Sequence, residues 1–185
     1  MLALFWFASL ATADETPSFG TDVSVAYGLG ALLGSWPDAG VHGFFQGRFD
    51  AFTANRDQTG PRLGASIWAS VVVAPQQYAR EEGENPFKFK YSEYGVLAVL
   101  RDDPNVPVGY AFGFGFGRID LTDYYGGPHA LPTATFEFGP RFGTKSEAFV
   151  DLLGRAQWAT ALGPSGELDE WWGASLQLAL GAHAR

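Results

Sequence analysis

The chain holds three histidines, His42, His129 and His183, and these with its serines and carboxylates are the residues that could do chemistry. A serine hydroxyl is a weak nucleophile until a histidine takes its proton and a carboxylate holds that histidine in place. Ser175 and His183 lie eight residues apart in one stretch, about 27 Å if it is extended and beyond hydrogen-bond reach. His42 and His129 fall near loop ends, so histidines without a catalytic role are the expectation. Asp102-Asp103 and Glu81-Glu82-Gly83-Glu84 offer oxygen to a hard cation, but the ligand spacing of an EF-hand is missing and acidic runs are usually solvated. Gly113-Phe114-Gly115-Phe116-Gly117 lacks both the GxGxxG pattern and the Lys-Ser/Thr of a phosphate loop, and opens no helix. There is no cysteine, hence no thiolate or disulfide chemistry. No catalysis, metal or cofactor is expected.

A second set of chemically capable residues is scattered singly along apolar stretches: Arg48, Asp50, Glu93, Glu137, Arg141, Asp151 and Arg155. What positions them is a strand pattern, plainest in Gly109-Tyr110-Ala111-Phe112-Gly113-Phe114-Gly115-Phe116-Gly117-Arg118. Successive strand side chains point to opposite faces, so Tyr110, Phe112, Phe114 and Phe116 line one face while glycine and alanine leave the other nearly bare. A helix would lose about 1 kcal/mol at each interior glycine and scatter the aromatics around its circumference.

Similar stretches recur, giving eight expected strands at about 21–33, 42–54, 62–74, 87–101, 109–118, 131–142, 147–160 and 170–184. Their apolar faces include Val23, Val25, Tyr27 and Leu29; Phe45 and Phe49; Tyr94, Val96 and Leu100; Phe136 and Phe138; Val150, Leu152 and Trp158; and Trp172, Leu176, Leu178 and Leu180. The stretch at 62–74 is apolar on both faces, Ile67 and Val71 against Trp68 and Val72, and its orientation is open. Connections are expected to alternate. Longer ones follow the first, third, fifth and seventh strands; tight turns at Asp102-Asp103-Pro104-Asn105 and Gly143-Thr144-Lys145-Ser146 lie between them, with Asn55 to Pro61 longer than that plan prefers.

Composition decides which face meets what. Of 185 residues 46% are apolar, 16% aromatic and only 17% charged, below the quarter usual for soluble domains. A net charge of −8 with no basic patch argues against a nucleic-acid partner. The less apolar strand face is mostly Gly, Ala, Ser and Thr with single charges of both signs, which suits a crowded barrel interior better than a water-facing surface. The seven scattered charges are expected to pair inside, because lone charges there would cost several kcal/mol each. Phe112, Phe114, Phe116, Phe136, Phe138, Leu176 and Leu178 are expected to face lipid. Trp36, Trp68, Trp158, Trp171 and Trp172, with Tyr94 and Tyr110, are candidates for interfacial girdles. Residues 1–13 contain a short apolar run ending in Ala11-Thr12-Ala13 and read as a cleaved secretory signal, leaving 14–185 as one barrel domain.

On these residues the chain resembles the small eight-stranded outer-membrane β-barrel proteins of the outer-membrane-protein-A transmembrane-domain type. Gly173, Leu176 and Leu178 match the Gly-x-x-apolar-x-apolar core of that family's C-terminal assembly signal, with Trp171 where the family has a polar residue. The resemblance implies an all-β, antiparallel, up-and-down transmembrane barrel in the bacterial outer membrane. Its partners would be outer-membrane lipid and lipopolysaccharide and, during biogenesis, the barrel-assembly machinery. The expected role is structural, or surface interaction through loops of unknown ligand. Alternatives are a soluble lipocalin-like barrel that binds an apolar ligand, its charged face in water, and a lipid-A-modifying enzyme of the Ser-His type.

Overall fold

In the computed structural model, which describes residues 18–34, 40–54, 60–74, 77–78, 87–88, 90–103, 106–122, 128–143, 148–162 and 168–184, the alternation of large and small side chains becomes the two faces of one closed sheet. The strands are β1 (Ser18–Gly34), β2 (Gly40–Ala54), β3 (Arg62–Ala74), β4 (Gln77–Tyr78), β5 (Phe87–Lys88), β6 (Lys90–Arg101), β7 (Val108–Thr122), β8 (Pro128–Phe142), β9 (Ala148–Leu162) and β10 (Leu168–Ala184). Eight of them close in the order β1-β10-β9-β8-β7-β6-β3-β2, every pair antiparallel. β4 and β5 form a separate two-stranded hairpin within the β3–β6 connection. The sheet is thus an up-and-down barrel of eight strands. The segment expected to be a signal, 1–13, lies outside the described residues.

Register fixes the barrel's shape. Residue partners lead from Asp22 through Asp50, Ser66, Leu97, Gly115, Thr135, Gln157 and Gly173 back to β1 at Leu32, a stagger of ten residues. For eight strands that stagger corresponds to a strand tilt of roughly 40° and an interior that side chains can fill. Val23, Val25, Tyr27 and Leu29 on β1 face outward, Asp22, Ser24 and Ala26 inward, and the same alternation holds on every barrel strand. The open case resolves as Ile67 out and Trp68 in.

The glycine-rich stretch earns its composition on β7. A Cβ at Gly115 would sit 2.0 Å from the Val96 carbonyl oxygen, and one at Gly117 2.5 Å from that of Tyr94, so the backbones of β6 and β7 approach too closely for a side chain. Gly60 and Gly143, at φ of 87° and 80°, turn the chain in the left-handed region that favours glycine.

The expected alternation of long and short connections is not what the strands leave. Residues 35–39, 123–127 and 163–167 are no longer than the connections at 55–61, 102–107 and 143–147, and only 75–89, which contains β4 and β5, is long. Residues taken for loop belong to the ladder: β7 continues to Thr122 and β8 begins at Pro128. Pro128 and Pro132 are tolerated because β8 pairs there with β7 alone, its pairing to β9 beginning at Thr133.

Candidate functional site

Inward-facing positions of β2, β6 and β9 converge on Glu137, buried on β8. Arg48 on β2 donates through Nη1 to Glu137 Oε1 and through Nε to Asp50 at 2.6 Å. Arg101 on β6 donates to the other Asp50 oxygen at 3.0 Å and lies 3.9 Å from Glu137. Arg155 on β9 donates to Glu137 at 3.1 Å and to Glu93 at 2.9 Å, while Gln157 donates to the second Glu93 oxygen at 2.6 Å. The guanidinium of Arg155 also lies over the Trp68 ring at 4.3 Å. One connected network of charge therefore crosses the barrel from β2 and β6 to β8 and β9, able to hold these strands together from within.

A second network sits nearer the end of the barrel that carries the 55–61, 102–107 and 143–147 connections. Arg141 on β8 donates to both oxygens of Asp151 at 2.7 and 2.8 Å and to Asp22 at 2.7 Å. His183 Nδ1 is 2.6 Å from Asp22 Oδ1, across the seam where β1 meets β10. The Phe149 ring lies 3.8 Å from the Arg141 guanidinium. Beside it the acidic pair Asp102-Asp103 serves the turns: Asp103 accepts from the Gly60 amide at 2.9 Å, linking the 55–61 and 102–107 connections.

The structure places all seven scattered charges inside and joins them in two groups. Arg48, Asp50, Glu93, Glu137 and Arg155 fall in the first, Arg141 and Asp151 in the second. Sequence reasoning left Arg101, Asp22 and His183 out of the charge network. The parity of their strands was the available signal, since Arg101 lies an even number of residues from Glu93, and Asp22 opposes Val23. Two of the girdle candidates are corrected: Trp68 and Trp171, 3% and 6% exposed, point inward. Trp68 shares its face with Ser66 and Ser70, and small neighbours leave room for the indole. Trp158 and Trp172 do face outward, paired at 6.2 Å, as do Tyr94 and Tyr110; Trp36 lies outside the described residues.

His42 and Ser175 flank Gly30 on β2 and β10 and line one cavity with Glu93, Gln157 and Phe44. These are the residue types of a serine nucleophile with its base, yet the cavity holds about 10 Å³, room for one water and not for a substrate. Ser175 and His183 stay apart on β10, and β8, which carries His129, is not a neighbour of β2. No group of three metal-ligating side chains occurs among the described residues. Glu81 to Glu84 lies outside them.

The outward face is as apolar as the inward face is charged. Phe112, Phe114, Phe116, Phe136, Phe138, Leu176 and Leu178 are all exposed on it, Phe116 at 62%. Gly173 faces inward on β10. The charged face that a soluble barrel would turn to water is buried here.

No family model and no curated protein sequence matches this chain. Among solved structures it is similar to Neisserial surface protein A, with a TM-score of 0.59 at 16% identity over 91% of this chain and 99% of that one. It is also similar to Ail, the attachment invasion locus protein of Yersinia pestis, with a TM-score of 0.53 at 12% identity over 90% and 99%. The fold is that of the small eight-stranded outer-membrane barrels.

Proposed function

We propose that this protein spans the bacterial outer membrane as a non-catalytic barrel whose partners are met at its loop end, the end that carries the 35–39, 75–89, 123–127 and 163–167 connections. The observation that carries the reading is the inversion of the usual soluble pattern: exposed Val, Phe, Tyr and Leu on all eight barrel strands, and buried arginines and carboxylates paired within. Water outside such a sheet would face a continuous apolar surface far larger than the patches soluble monomers tolerate. With the interior filled and the side wall turned to lipid, contact with another molecule is left to the ends. The 75–89 connection, with its β4–β5 hairpin, is the longest element there. Outward Leu176 and Leu178, with Gly173, support recognition of β10 by the barrel-assembly machinery. The Ser-His enzyme reading is disfavoured because His42, His183 and Ser175 all lie on inward-facing strand positions.

Two measurements test this. The membrane fraction should contain a band that resists detergent while cold and shifts mobility on boiling; a carbonate-extractable protein with no shift would sink the membrane reading. An epitope inserted between residues 82 and 83 should be reached by antibody on intact cells, and one between 145 and 146 only after permeabilisation. The reverse accessibility would invert the orientation and remove the loop-end surface from the cell exterior.

A further inference from the structure

Among the side chains the structure describes, the outward wall of the barrel carries one cation, Arg118 on β7, 52% exposed. It continues the file of Phe112, Phe114 and Phe116 by one position, toward the 123–127 connection, and so stands on the rim of the apolar wall at the loop end. Register sets it between Tyr94 on β6 and Pro132 on β8, both exposed on the same wall. Its Nε donates to Asp120 Oδ1 at 2.6 Å, two residues further along the strand. That bond fixes the guanidinium plane, and the two terminal nitrogens have no other hydrogen bond among the described residues.

An arginine beside hydrocarbon is stable only where its head reaches a polar layer, and the rim is where acyl chains give way to headgroups. A guanidinium offers parallel N–H donors that match two oxygens of a phosphate, a geometry that a lysine cannot copy. Tyr94 beside it has the amphipathic ring that favours the same level. We propose that Arg118, held by Asp120, binds the phosphate of a phosphorylated lipid headgroup in the outer leaflet, whose acyl chains lie along Phe116 and Phe114. The proposal rests on the membrane reading and on the loop end facing outward.

The test uses the whole folded protein in neutral detergent micelles, titrated with diphosphorylated lipid A and followed by the midpoint of thermal unfolding. The midpoint should rise with diphosphorylated lipid A. It should stay in place with the same lipid dephosphorylated, and with inorganic phosphate at equal concentration. Arg118→Gln should weaken the apparent affinity roughly 10- to 100-fold, the worth of a charge-assisted bond, with Arg118→Lys between the two. An Arg118→Gln protein that binds like the native one would overturn the proposal. So would an equal rise with dephosphorylated lipid, or with free phosphate alone. A native protein with no heat-shifting band fails earlier, and overturns the membrane reading together with this site. Arg118→Gln is expected to keep that band, since the side chain is half exposed and its ion pair is with exposed Asp120.

Discussion

Glu137 is the residue on which the interior turns. It is buried and faces Arg48, Arg101 and Arg155 from three other strands, so its charge offsets cations that would otherwise crowd one another out of reach of water. Breaking a buried pair by removing one partner costs about 3–5 kcal/mol, because the remaining charge stays desolvated. Glu137→Gln keeps the shape and removes the charge. It is expected to lower the unfolding free energy in urea and detergent by roughly that amount, while Asp120→Asn in the exposed Arg118 pair leaves the midpoint in place. A Glu137→Gln midpoint equal to the native one would mean that the network adds nothing net to stability. Trp68 shows how such a residue hides in a sequence: both faces of its strand carry apolar residues, and its partner on the inward side, the guanidinium of Arg155 4.3 Å from its ring, comes from across the barrel.

Strands read more easily than their ends. On β1, β2, β6, β8, β9 and β10 the alternation of Val, Phe and Leu with Gly, Ser and single charges set the two faces correctly, because a one-residue slip would turn every charge toward the apolar side. The ends were not legible, since Thr122, Pro128 and Leu162 have turn-like or neutral neighbours yet are held by the adjacent strand. Glycine placement was legible only in part. Gly28, Gly64 and Gly181 each pair directly with an inward phenylalanine, Phe44, Phe52 and Phe149, whose ring fills the space a side chain would occupy, joined at Gly64 by the Ala51 carbonyl oxygen. That relation spans two strands and cannot be seen along either one. Gly115 and Gly47 separate the two uses of the residue: a Cβ at Gly115 meets backbone at 2.0 Å, whereas one at Gly47 meets nothing within 4 Å. Gly115→Ala should force β6 and β7 apart and destabilise the barrel by roughly 1–3 kcal/mol. Gly47→Ala should stabilise it by about 0.4–1 kcal/mol through the unfolded chain. Denaturant titration of the pair decides, and equal effects would deny the close approach.

At the scale of the whole molecule, wall and interior make separate demands that the same eight strands satisfy. Outward apolar residues run from Val23 to Ala31 on β1, Val108 to Phe116 on β7 and Trp172 to Leu180 on β10, nine residues and so eight residue steps in each case. At a tilt of roughly 40° and about 3.3 Å per residue this is a band of roughly 20 Å, close to the 25 Å typical of outer-membrane barrels. Inside, Arg101, Arg141, Glu137 and Gln177 are almost wholly buried, at different heights along the strands, so the two ion networks act as a plug built into the wall. An open pore needs a continuous aqueous path, and in eight strands the side chains already occupy it. Reconstituted in a planar bilayer, the native protein should give no conductance steps under conditions in which a sixteen-stranded porin conducts steadily. Steady conductance from the native protein would show that the networks open in a bilayer, and the interior, not the loop end, would then be the place to look for function.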